Sequence, residues 1–89
     1  MTYNIRLPDE LGTQLRAQRL SLKLSKSELA ARAGKVREVI TRLESGQDTT
    51  VSSLLAVMGA MGLALRLEQA GLPSAQEVAK RFQEDDDAS

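Results

Sequence analysis

The sequence predicts an all-α core of four to five short helices followed by one C-terminal strand. Three observations predict it. Apolar residues recur at helical spacing through the middle of the chain. Capping signals punctuate that pattern, with Ser25 and Glu28 forming one capping box and glycines at 34, 46 and 62 where helices should stop. Past Gly62 the period drops to two, in Leu63-Ala64-Leu65-Arg66-Leu67-Glu68.

The first helix opens at Leu7-Pro8-Asp9-Glu10. Proline there has no amide proton to lose, and the carboxylates suit the positive end of a helix. Leu11, Leu15, Ala17 or Gln18, and Leu22 then recur near helical spacing. The box Ser25-Lys26-Ser27-Glu28 opens a second, short helix with Leu29, Ala30 and Ala33 inward, and Gly34 ends it. A third helix is expected from Val36 to Ser45, with Val36, Val39, Ile40 and Leu43 on one side and Gly46 as its left-handed cap. Thr49-Thr50 cap a fourth, from Val51 to about Met61, in which Leu54, Leu55, Val57, Met58 and Met61 point inward.

A lone strand at 63–68 needs a partner for its backbone donors and acceptors. The only other alternating run is Tyr3-Asn4-Ile5-Arg6-Leu7. The strand therefore pairs with that segment, with its copy in a second chain, or with both, and a symmetric homodimer is the favoured arrangement. After Gly71-Leu72-Pro73, the capping box Ser74-Ala75-Gln76-Glu77 leads into Val78, Ala79 and Phe82. The expected organisation is an N-terminal arm over 1–8, a helix-turn-helix domain over 9–62, a dimerisation strand over 63–69 and a mobile tail over 70–89 with a short helix at 75–83.

Composition bounds the function. Eighty-nine residues, 42% of them apolar, suit one small domain with little surplus stability. The chain has no cysteine and no histidine. That excludes disulfides, thiolate zinc sites and every Ser-His or Cys-His nucleophile. No metal ligands cluster and no phosphate loop is present, so neither an enzyme nor a cofactor is expected. Apolar stretches are broken well before 18 residues and no secretion signal opens the chain, which makes no membrane partner and a cytoplasmic location the expectation.

The net charge of zero hides an asymmetry. Arg16, Arg19, Lys23, Lys26, Arg32, Lys35, Arg37 and Arg42 crowd the middle, opposed there only by Glu28 and Glu38. From Glu77 onward the chain is acidic. A basic middle beside an acidic tail is compatible with nucleic-acid binding, and with nothing more than a solvated surface. Tyr3 and Phe82 are the only aromatics, which leaves no stacking platform for a single strand and favours a duplex.

Two short helices joined at Ala33-Gly34-Lys35-Val36 form a helix-turn-helix layout. The run Leu24-Ser25-Lys26-Ser27-Glu28-Leu29-Ala30, then Gly34, Ile40, Leu43-Glu44 and Gly46, resembles the phage-repressor (Cro/CI or XRE) type of helix-turn-helix. The resemblance runs from Leu11 to Leu67. Asp48 to Leu55, with Met61 to Leu67 behind it, looks like the HipB branch, small antitoxin-regulators whose paired strands make a two-stranded dimer lid. Two positions depart from the pattern: Lys26, where most relatives carry Gln, and Val36, where most carry Ser or Thr. Val36 removes the usual side-chain cap of the third helix, a loss of about 1 kcal/mol.

The resemblance implies a dimeric, sequence-specific repressor on double-stranded DNA, reading an inverted repeat with helices about 34 Å apart. The partner it implies is a HipA-like kinase toxin whose operon the protein would regulate. By position in the motif, Arg37, Glu38, Thr41 and Arg42 face the bases. Lys26 meets a phosphate, Ser25 and Ser45 are candidates for the same role, and Lys35 is either a further phosphate contact or a solvated charge. Arg19 and Glu44 are placed as a buried or half-buried ion pair between the first and third helices. The competing reading keeps the fold as a protein-protein module without a specific DNA target, an idea that Glu38 mildly favours.

Overall fold

The computed structural model describes residues 4–69, which form four helices in the order α1 Pro8–Ser21, α2 Lys26–Ala33, α3 Arg37–Glu44 and α4 Val51–Ala60. The expected helix at 75–83, the tail over 70–89 and Tyr3 lie outside the described residues. Helix α1 packs on α3, and α2 packs on both α3 and α4. Leu29, Ile40 and Val57, one each from α2, α3 and α4, are only 1% exposed and form the centre of the core. Each contributes about 1.5–3 kcal/mol of burial. Leu15, Leu24, Ala30, Leu43, Met58 and Met61 complete it.

Local chemistry explains the boundaries. Pro8 stands in the first turn of α1, with Asp9 and Glu10 beside it. At α2 the capping box is complete: the Glu28 amide donates to Ser25 Oγ at 3.0 Å and the Ser25 amide donates to Glu28 Oε1 at 3.1 Å. Thr50 caps α4 by accepting from the Ser53 amide at 3.1 Å. Helix α3 starts at Arg37 with Val36 as an N-cap that makes no side-chain bond.

All four helices stop in the same way. An amide one residue past the C-cap of α2, and two past it in the other three, reaches back to a carbonyl five residues earlier: Leu24 to Arg19 at 3.2 Å, Lys35 to Ala30 at 2.9 Å, Gln47 to Arg42 at 2.9 Å, Leu63 to Met58 at 2.8 Å. The preceding residue must then take a left-handed backbone. Gly34, Gly46 and Gly62 do so after α2, α3 and α4, and Lys23 does so after α1 with φ of 58°.

The packing also corrects the periodicity. Val36 and Leu55, expected inside, are exposed at 67% and 44%. Leu22 also faces solvent, and of the alternatives Ala17 and Gln18 it is Gln18 that is half-buried, while α1 buries Gly12, Leu15 and Arg19. Gly12 permits the close α1–α3 crossing: a Cβ there would lie 2.5 Å from the Glu44 carbonyl oxygen. Among the described residues no strand forms within the chain; residues 63–69 leave α4 unpaired, with Leu63 half-buried and Leu67 90% exposed.

Candidate nucleic-acid interface

Helix α3 is held by its inner side. Ile40 and Leu43 are sealed in the core, Val39 is half-buried, and Glu44 is gripped by Arg19. At 100° per residue this turns Arg37, Glu38, Thr41, Arg42 and Ser45 onto the opposite arc of about 140°. Arg37, Glu38 and Arg42 are exposed there, while Thr41 is half-buried. The glycine turn sets α2 and α3 side by side. Gly34 has φ of 68°, which a residue with a Cβ enters only at a cost.

Lys26 is the first residue of α2, beside amides that no intrahelical acceptor satisfies. Its ammonium is half-buried and donates to Thr41 Oγ1 across the helix pair at 3.4 Å. The structure thus brings together Lys26, expected at a phosphate, and Thr41, expected at a base. Sequence spacing carried no sign of this link, because it depends on how α2 crosses α3.

The two candidate serines differ. Ser25 Oγ accepts from the Glu28 amide within the capping box and its proton also serves the Glu28 carboxylate, so an outside anion would compete with that side chain for it. Ser45 donates its proton to the Thr41 carbonyl at 2.7 Å and must exchange that partner to reach a phosphate. Lys35 is half-buried in the turn, and its backbone amide is engaged with Ala30. The Ser25 amide, and then its hydroxyl, hold the Glu28 carboxyl below its usual range. Glu28 therefore stays ionised and keeps Ser25 fixed at the entrance of α2.

Arg19 and Glu44 belong to the frame. Arg19 Nε and Nη2 donate to the two oxygens of Glu44 at 2.6 and 2.9 Å, and Nη1 donates to the Leu24 carbonyl at 3.0 Å. The hydrogen bond to Glu44 raises the arginine pKa, partly opposed by its burial. Their side chains are only 8% and 6% exposed. Neither charge is available to an external ligand. Beside α3, periodicity misplaces Val36, which stands outside the helical repeat as an N-cap and so is not bound to its inner face.

Comparison with known proteins agrees with this geometry. The helix-turn-helix family model matches residues 15–67, more than half of the chain. No curated protein sequence matches it. Among solved structures, HipB in a HipA-HipB-O2-O3 complex is similar at TM-score 0.73 and 22% identity, covering 79% of this chain and 100% of that one. HipB in a complex with an O4 20mer is similar with the same score, identity and coverage. These are likenesses of fold.

Proposed function

This chain belongs to the helix-turn-helix family, and from that premise we propose that it is a sequence-specific double-stranded DNA-binding repressor. One observation carries the reading: α3 seals Ile40 and Leu43 into the core while Arg37, Glu38 and Arg42 stay exposed on its other side. In a major groove, Arg37 and Arg42 would bond guanine edges, Glu38 would accept from a cytosine amine, and Thr41 would sit between them. Lys26, Ser25 and the first amides of α2 would hold a phosphate, with Lys35 and Ser45 beside them. The phosphates would supply affinity and α3 would supply choice.

The working unit in this reading is a homodimer joined through residues 63–69. Leu65 is 53% exposed and Leu67 90%, on a backbone segment that has no ladder partner among the described residues. Pairing with its copy would satisfy that backbone and cover those leucines. The arm over 1–8, the domain over 9–62, the strand over 63–69 and the tail over 70–89 would then have separate tasks. The fold shared with HipB, solved together with HipA, supports a further step: a HipA-like kinase toxin as partner, with autoregulation of their common operon.

A gel shift on the DNA immediately upstream of the gene tests the reading. A salt-sensitive complex is expected there at protein concentrations that leave random duplex unbound. Equal affinity for both duplexes would turn the assignment toward a protein-protein module.

A further inference from the structure

We propose that Val36 reads a thymine by packing against its C5 methyl group, which makes it a specificity determinant alongside the polar residues of α3. The inference rests on the duplex-DNA reading above and deepens it. Val36 is the N-cap of α3, the end that this reading turns toward base edges. A serine, threonine or aspartate there would bond a free amide of the first turn, and valine cannot. The side chain is 67% exposed, so the core does not use it either. It lines neither of the grooves that gather Ile5, Leu7, Val51 and Leu63.

Val36 therefore places bare methyl groups in the charged setting of Lys35, Arg37 and Glu38. Water is a poor partner for them, and so is a phosphate. The major-groove edges of the bases carry donors, acceptors and one apolar group, the thymine methyl. Arg37, Glu38 and Arg42 complement the donors and acceptors, and Val36 complements the methyl. The backbone holds it in position, since its carbonyl accepts from the Val39 amide at 3.0 Å.

The experiment begins with a duplex enriched by the full-length protein from a random pool. Each thymine of that duplex is replaced singly by deoxyuridine, which removes only the C5 methyl. Affinities are measured for the native protein and for Val36→Ser. The native protein should lose about fourfold at one thymine per half-site and about 15-fold when both half-sites are changed, the worth of one and two buried methyls. Val36→Ser should show no loss at that position. Because serine supplies the missing cap, this variant should also melt higher, so a lost methyl response cannot be laid to misfolding. A duplex that binds with no deoxyuridine effect, or with the same effect in Val36→Ser, overturns the assignment and leaves DNA recognition standing. Failure to enrich any duplex overturns both.

Discussion

Arg19 on α1 clasps both carboxylate oxygens of Glu44 on α3, at 2.6 and 2.9 Å, in a site almost closed to water. The pair fixes the last turn of α3 against α1 and so sets the pose of the exposed face. Removing one partner of a buried pair strands the other charge, which costs about 3–5 kcal/mol. Arg19→Met should therefore lose about that much in urea denaturation. The double variant Arg19→Met/Glu44→Leu should recover most of it, because neither charge is then left behind. A double variant no more stable than the single would show that the geometry of the ion pair, not the orphaned charge, sets the cost.

Gly12 makes the same crossing possible by a different means. A Cβ added there meets backbone oxygens of Glu44 and Leu43 at 2.5 and 2.6 Å, and backbone cannot rotate aside. Alanine favours a helix by about 1 kcal/mol over glycine. Forcing α1 off α3 should still outweigh that gain, with a net loss of about 1–3 kcal/mol. A thermal melt of Gly12→Ala should fall by several degrees; a rise would mean that the helices can part freely.

Lys23 fills a left-handed position that glycine occupies after each of the other three helices. A residue with a Cβ pays about 1–2 kcal/mol for that conformation. Lys23→Gly should stabilise the domain by about 0.5–1 kcal/mol once the extra freedom of unfolded glycine is deducted. The urea midpoint measures it. An unchanged or lower midpoint would mean that the lysine side chain contributes contacts worth more than the backbone relief.

These residues also mark how far the sequence could be read. Capping and stop signals act within four or five residues, so the Ser25/Glu28 box, the Gly34 turn and the Gly46 stop were legible from local chemistry. Inward and outward faces were less so. Helix α4 is apolar on most sides, and periodicity alone could not turn Leu55 outward. The spacing of Val36 from Val39 and Ile40 mimics the α3 repeat, which as an N-cap Val36 does not share. Lys23 ends α1 by a local stop that no glycine marks, while Gly12 and the Lys26–Thr41 contact depend on crossings between elements. No spacing encodes a crossing. The Arg19–Glu44 pair, 25 residues apart, was legible only through resemblance to known helix-turn-helix sequences.

The capping box carries a pH signature. The Ser25 amide and hydroxyl lower the Glu28 pKa in the folded chain below the usual 4.5. A group with a depressed folded pKa stabilises above its unfolded value and loses that contribution as pH falls through the folded one. The stability difference between the native chain and Glu28→Gln should therefore be flat at neutral pH and shift against the native chain below about pH 4.5. Urea midpoints of both proteins across pH 3–7 provide the check. Parallel curves would mean that the carboxylate bonds persist equally in the unfolded chain.

Lys26 and Arg37 separate affinity from choice. In the proposed complex Lys26 neutralises a phosphate, so Lys26→Ala should weaken binding to every duplex by a similar factor. The slope of log affinity against log salt should fall by about one per protomer. Arg37→Ala should leave most of the salt slope in place and relax preference at one base pair by about 1–3 kcal/mol. The Lys26–Thr41 contact at 3.4 Å adds a sharper demand. If that bond aims Thr41 at a base, Lys26→Ala will also alter preference at the pair Thr41 faces, whereas Lys26→Arg, which keeps charge and donors, will alter it less. Competition binding with single-position variants of an enriched duplex distinguishes the cases. A uniform loss in Lys26→Ala would confine the lysine to phosphate, and a preference shift with an unchanged salt slope would remove it from the phosphate altogether.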